Sequence, residues 1–257
     1  MKVAVVTGAA QGLGFASASL LARLGFRVLL TDIQSLDAPL GRLQADHLPV
    51  EGLRGDITSE AFVRELSAAI ARDHGAADVL VNNAGISCIA AAEDTTAEQW
   101  QRVLSVNLFA PFLLCKHLGA QMLRRNCGSI VNVASVAGLA GVSHRSAYNA
   151  SKHGLVGLTR TLAAEWGGRG VRVNAVCPGW IKTEMDVADQ GSGAYSDHDI
   201  TDRVPQGRFA RAEDVAQAIA YLADDTKSAF VNGITLTVDG GWLADASWAS
   251  LRLRTRR

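Results

Sequence analysis

The chain has no surplus of charge of either sign. Lysine and arginine together number 25 and aspartate and glutamate 25, so no net field draws it toward nucleic acid or an anionic membrane. Cysteine is scarce. Cys88, Cys115, Cys127 and Cys177 are scattered among mostly apolar neighbours with no CxxC pair, a pattern of buried, reduced thiols in a cytoplasmic protein and not of a metal site. The six histidines show neither HxxxH nor HExxH spacing, and no bound metal is expected. No basic segment and apolar core precede the first strand-like run at Lys2, and no apolar stretch approaches the roughly 20 residues that span a bilayer. Internal repeats, low-complexity blocks and linker-like composition are also missing, so residues 1–257 are read as one domain. What remains, 48% hydrophobic and 19% charged residues, is the composition of a soluble globular enzyme acting on a small molecule.

Short β-branched runs alternate with longer segments of helical period. "KVAVVT", "RVLLTD", "GLRGDI", "ADVLVNN", "GSIVNVAS", "VRVNAVCPG" and "GITLTVDGG" read as strands. Helices are expected over 12–25, 59–74, 96–125, 147–166 and 212–223, with a polar stretch around Pro39 and irregular chain over 180–206. Strands apolar throughout are covered on both faces, and their alternation with helices implies a doubly wound parallel α/β sheet with right-handed crossovers.

Within that frame "VTGAAQGLG", residues 6–14, has a specific use. Gly8, Gly12 and Gly14 occupy the first strand-to-helix turn, where the chain bends tightly, a phosphate approaches the backbone and the helix packs closely on the sheet. The spacing is TGxxxGxG, and a plain surface turn is the competing reading. Asp32 ends the second strand, where a carboxylate can accept hydrogen bonds from both adenosine ribose hydroxyls and repel a 2′-phosphate. Gln11 offers no cation for that phosphate, and no Arg or Lys immediately follows Asp32, so NAD is favoured over NADP; a turn-forming aspartate is the alternative. Tyr148 and Lys152 are spaced i, i+4 and share one helix face, which places an ammonium near a phenol. Lowering a phenol from its usual value near 10 by roughly 2–3 units needs such a cation. Ser135 ends a strand 13 residues earlier, at the sheet edge where ligands bind.

Together these residues resemble the classical short-chain dehydrogenases/reductases. The resemblance covers about 2–241 and rests on "TGAAQGLG", "NNAG" at 82–85, Asn107 in "SVNLFAPF", Ser135, "YNASK" at 148–152, "PGWIKT" at 178–183 and the late "VDGG". It implies a seven-stranded sheet of order 3-2-1-4-5-6-7 and hydride transfer between a nicotinamide and an alcohol or carbonyl. It assigns Tyr148 as general acid/base, Ser135 as the group orienting the substrate oxygen, Lys152 as the cation that lowers the phenol pKa and grips the nicotinamide ribose, and Asn107 as the holder of a relay water. The cofactor-binding set it implies is Gly8, Gln11, Gly12, Leu13, Gly14, Asp32, Ile33, Asp56, Ile57, Asn83, Ala84, Gly85, Tyr148, Lys152, Pro178, Gly179, Ile181 and Thr183. Pairing through the two long helices into a homotetramer, or else a dimer, also follows from it.

Substrate choice lies outside these motifs. Residues 184–206 are expected to form a lid, and Ser87, Ser135, Val136, Ala137, Leu139, His144, Arg145, Tyr148 and Trp180 are pocket candidates. Arg145 is the one strong charge among them, and an exposed loop cation is its alternative. The expected activity is NAD-dependent oxidation of a secondary alcohol, polyol or hydroxy acid. A 3-oxoacyl reductase and a non-catalytic dinucleotide-binding regulator are the competing readings. Residues 243–257, "LADASWASLRLRTRR", carry four arginines and no acid after Asp245. They form either a solvated tail or, through Trp242, Leu243, Trp248 and Leu251, a segment docked across an oligomer interface near a neighbour's substrate mouth.

Overall fold

The protein is described by a computed structural model over residues 1–183, 187, 195–248 and 251. In chain order its elements are β1 (Val3–Thr7), α1 (Gly12–Arg23), β2 (Arg27–Asp32), α2 (Asp37–Ala45), β3 (Val50–Arg54), α3 (Glu60–His74), β4 (Val79–Asn82), α4 (Ala97–Arg125), β5 (Gly128–Val133), α5 (Ser146–Trp166), β6 (Val171–Pro178), α6 (Asp197–Arg203), α7 (Ala212–Ala223) and β7 (Thr235–Val238). The strands form one seven-stranded parallel sheet in the order β3-β2-β1-β4-β5-β6-β7, as the resemblance implied.

Alternate residues of each inner strand feed opposite cores, because successive side chains point to opposite faces. Ala4 and Val6, Val28 and Leu30, and Val79 and Val81 pack with Leu21 of α1, Leu43 of α2 and Ile219 of α7. Val5, Leu29 and Leu80 pack on the other side with Leu66 of α3, Leu114 and Leu118 of α4, and Leu162 of α5. Strand order reverses between β1 and β4, so the C-terminal ends of these strands part there and open a crevice. Thr7 stitches the parting: its hydroxyl donates to the Val81 carbonyl and accepts from the Asn83 and Ala84 N–H groups.

Four expectations need correcting. The stretch around Pro39 is helix α2, in which proline occupies the first turn, where no intrahelical N–H is required. Helix α4 is not regular: two wider π-type turns, Ser105–Phe109 and Cys115–Gly119, interrupt it. Pro111 lacks the N–H that would bond the Asn107 carbonyl, which breaks the ordinary ladder at the first of them. The irregular 180–206 contains helix α6, started by a capping box between Ser196 and Asp199; residues 184–186 and 188–194 of the expected lid lie outside the described residues. Finally, α4 is by length and composition long and apolar enough to span a bilayer, but half of its most apolar window is buried inside the protein.

Candidate active site

One cleft of about 390 Å³ follows the crevice along the C-terminal edge of the sheet. Every residue expected to hold a cofactor lines it, from Gly8, Gln11, Gly12, Leu13 and Gly14, through Asp32, Ile33, Asp56, Ile57, Asn83, Ala84 and Gly85, to Tyr148, Lys152, Pro178, Gly179, Ile181 and Thr183. Ser135, Arg145 and Trp180 line it as well.

At the β1–α1 turn, Gly8 and Gly12 take positive φ values of 64° and 55°, and Gly14 lies so close to Gly8 that a Cβ there would stand 2.0 Å from the Gly8 carbonyl oxygen. The glycines therefore seat α1 directly against the turn. Helix α1 has no side-chain cap and no acid in its first turn, so its leading N–H groups and the positive end of its dipole suit an anion. Asp32 uses its carboxylate locally too: it accepts the Ala10 N–H at 3.0 Å and the Gln34 N–H at 2.9 Å. Its turn-forming reading holds, and a carboxylate keeps lone pairs beyond two bonds. Strand register sets Arg54 beside Asp32, with the Arg54 guanidinium donating to the Ile33 carbonyl at 2.9 Å. Pairing of β2 with β3 supplies a cation here that adjacency in sequence did not reveal.

At the other end, Ser135 is extended and caps a short 3-10 turn, its hydroxyl accepting the Ala137 N–H at 3.1 Å. Helix α5 starts at Ser146 and presents Tyr148 and Lys152 one turn apart. The Lys152 ammonium lies 5.6 Å from the centre of the Tyr148 ring and donates to the Val133 carbonyl at 2.8 Å. Burial pushes the Lys152 pKa down to about 8, which leaves it a cation at neutral pH and a source of phenolate stabilisation.

Asn107 does not line the cleft. It is fully buried, its Oδ1 accepting the Ile86 N–H at 2.9 Å and its Nδ2 donating to the Ile86 carbonyl and to Ser151 Oγ. The Asn107 side chain thus clamps the irregular segment that follows "NNAG". Asn83 is likewise engaged, donating to the Thr7 and Gly8 carbonyls. Leu139 packs into a small core beside Leu155, and His144 is exposed, so neither lines the cleft. Ser87 acts through Arg145, accepting a 2.7 Å bond from its guanidinium. Tyr195 of the expected lid lines the cleft, and sequence reasoning missed Arg102, Val106 and Val142, which line it too. The i, i+4 spacing of Arg102 and Val106 on the Asn107 helix was the one signal available for two of them.

Trp242, expected at a subunit interface, packs within its own chain. Its ring lies 5.1 Å from that of Trp180, and the Arg203 guanidinium covers it at 4.9 Å. Arg203 also donates to the Asp245 carbonyl, which ties the start of the C-terminal extension to α6.

A doubly wound sheet with an uncapped, glycine-seated helix at its switch point and a serine, tyrosine and lysine at the far end of the same cleft defines an oxidoreductase of the dinucleotide-binding kind. A family profile described as enoyl-(acyl carrier protein) reductase matches residues 8–243. The chain is 40% identical over 243 residues to D-threitol dehydrogenase of Mycolicibacterium smegmatis, covering 94% of this chain and 92% of that one. It is 38% identical to the 3-oxoacyl-[acyl-carrier-protein] reductase of Thermotoga maritima, covering 93% and 97%. A crystal structure of an actinorhodin polyketide ketoreductase variant with NADPH superposes with a TM-score of 0.90 at 37% identity, covering 94% and 97%. The chain belongs to the short-chain dehydrogenase/reductase family.

Proposed function

We propose that the protein is an NAD-dependent dehydrogenase of a small secondary alcohol, polyol or hydroxy acid, operating in both directions. One observation carries this reading: Ser135, Tyr148 and Lys152 meet at one end of a cleft whose other end is built by the α1 turn and Asp32. The donor set suits a dinucleotide. Uncapped N–H groups at α1 would receive the pyrophosphate, Asp32 the adenosine ribose, and Asp56 and Ile57 would contact the adenine. When bound, the nicotinamide exchanges a hydride with the substrate carbon. The chain's own part is to handle the proton and hold the oxygen: Tyr148 removes or returns the proton, Ser135 holds the oxygen, and the Lys152 cation favours the phenolate. Asn107 acts as a positioning residue through Ile86. Relatives carry both NADP-type names and a 3-oxoacyl reductase activity, so the second reading is reduction of a 3-oxoacyl thioester with NADPH, and Arg54 beside Asp32 is the observation that favours its cofactor. Retention of the whole Ser135, Tyr148 and Lys152 set speaks against a regulator without catalysis. We further propose a cytoplasmic homotetramer, with a dimer as the smaller alternative.

The test follows nicotinamide absorbance with each cofactor over a panel of alcohols, ketones and an acetoacetyl thioester. Tyr148→Phe should keep cofactor binding and lose roughly 10²–10⁴ in rate; near-native turnover in that variant would falsify the assignment. Asp32→Ala should narrow the ratio of NAD to NADP efficiency by removing the charge that repels a 2′-phosphate. A wild-type preference for NADP in competition overturns the cofactor reading and leaves the dehydrogenase reading standing.

A further inference from the structure

Charge is segregated along the cleft. Among the described residues that line it, the acids are Asp32 and Asp56, at the ends of β2 and just beyond β3. Strand order places these on one side of the switch point, and Ser135, Tyr148 and Trp180, which follow β5 and β6, on the other. The lining cations Arg102, Arg145 and Lys152 belong to α4, to the entry of α5 and to α5, which follow β4 and β5 on that other side, and Arg145 stands three residues before Tyr148.

Arg145 is held there from several directions. Its backbone forms a bridge with Ala90, and the neighbouring His144 carbonyl accepts the Ala90 N–H at 3.0 Å. Its own carbonyl accepts the Asn149 N–H at 2.8 Å, which fixes it at the entry to α5, three residues before Tyr148. Its guanidinium donates to Ser87 at 2.7 Å and lies 6.0 Å from the centre of the Tyr195 ring. Ser87 follows Ile86, whose backbone is clamped at both polar atoms by Asn107. The guanidinium is therefore set in place by the framework that also sets the catalytic helix. A planar cation fixed in this way matches a carboxylate in shape and charge. Val136, Ala137, Val142 and the Trp180 ring, the last braced by Trp242, add apolar wall beside it.

We infer that the substrate is a hydroxy acid or oxo acid with a hydrocarbon frame, its carboxylate read by Arg145 while Ser135 and Tyr148 hold the reacting oxygen. The inference rests on the dehydrogenase reading above and narrows it. It excludes neutral polyols as the preferred substrates.

The experiment compares each acid with its own methyl ester, so that shape is kept and charge removed. The pairs are 3-hydroxybutyrate and cis-4-hydroxycyclohexanecarboxylate with their methyl esters, and threitol is the neutral polyol. The wild-type enzyme should favour acid over ester by about tenfold or more in kcat/KM, mainly through KM. In Arg145→Gln the acid-to-ester ratio should fall to about one, and Arg145→Lys should recover part of it. Cyclohexanecarboxylate should compete with ester oxidation in the wild type whereas cyclohexanecarboxamide should not, a readout that needs no variant to fold. Equal use of acid and ester, a ratio that survives Arg145→Gln, or turnover of threitol above both acids each overturns the inference while the dehydrogenase reading stands. If none of these compounds nor the matching ketones changes nicotinamide absorbance, the dehydrogenase reading fails and takes the inference with it.

Discussion

Lys152 concentrates the conflict between stability and chemistry in one side chain. It is 3% exposed, and desolvation lowers its pKa from the ordinary 10.5 to about 8. Below pH 8 the folded protein carries a buried cation and the full penalty of burying it. Between about 8 and 10.5 the folded protein has released that proton and the unfolded chain still holds it, so stability rises with pH across this window, by up to about 1.4 kcal/mol per unit. Urea unfolding at pH 7.5, 8.5 and 9.5 should show this rise in the wild type and a smaller one in Lys152→Met. Parallel pH dependences for the two proteins would contradict it. The same cation that strains the fold near neutrality is the one that steadies the phenolate of Tyr148.

At the scale of elements, the β1–α1 turn works only because two pieces of backbone nearly touch. Gly14→Ala places a methyl 2.0 Å from the Gly8 carbonyl oxygen and 2.6 Å from Asn83 Nδ2, and that amide is itself held by the Thr7 and Gly8 carbonyls. Helix α1 must then shift off the sheet and take its N–H groups with it. We expect a lower thermal midpoint and at least a tenfold loss of cofactor affinity, read by calorimetry. Gly41 in α2 meets nothing within 4 Å, and Gly41→Ala should instead stabilise by about 0.5–1 kcal/mol through helix propensity. If both substitutions behave alike, close approach is not what the turn requires of Gly14. The π-type turn around Asn107 shows a similar logic: a proline and a buried amide open the helix where the neighbouring segment at Ile86 is held.

For the whole molecule, the open question is what covers the outer side of α4. Trp100, Phe109 and Phe112 are 37%, 49% and 43% exposed, and the last two rings lie 6.3 Å apart. Apolar surface gathered this way favours association. With the proposed tetramer, sedimentation should show a species well above the 27.1 kDa chain, and joint Phe109→Ser and Phe112→Ser substitution should shift it toward the monomer. A wild-type protein that sediments as a single chain at micromolar concentration would remove the proposal. Removing residues 249–257 should leave assembly unchanged, because the described anchors Trp242 and Asp245 bind Trp180 and Arg203 of the same chain.

The strand order followed from the family resemblance, whereas local pattern alone determined the strands, their parallel direction, the glycine turn and the Tyr148–Lys152 pair. Each depends on a short-range rule: two-residue alternation, 3.6-residue spacing, or the need for glycine where backbone meets backbone. Contacts between distant segments decided the rest. Arg54 reaches Asp32 through strand register, Ser87 seats Arg145, Asn107 grips Ile86, and Trp242 braces Trp180. A long polar side chain carries no periodic signal that names its partner. Its partner is chosen by which chain ends the folded sheet brings to one edge, and that choice exists only once the strands have paired.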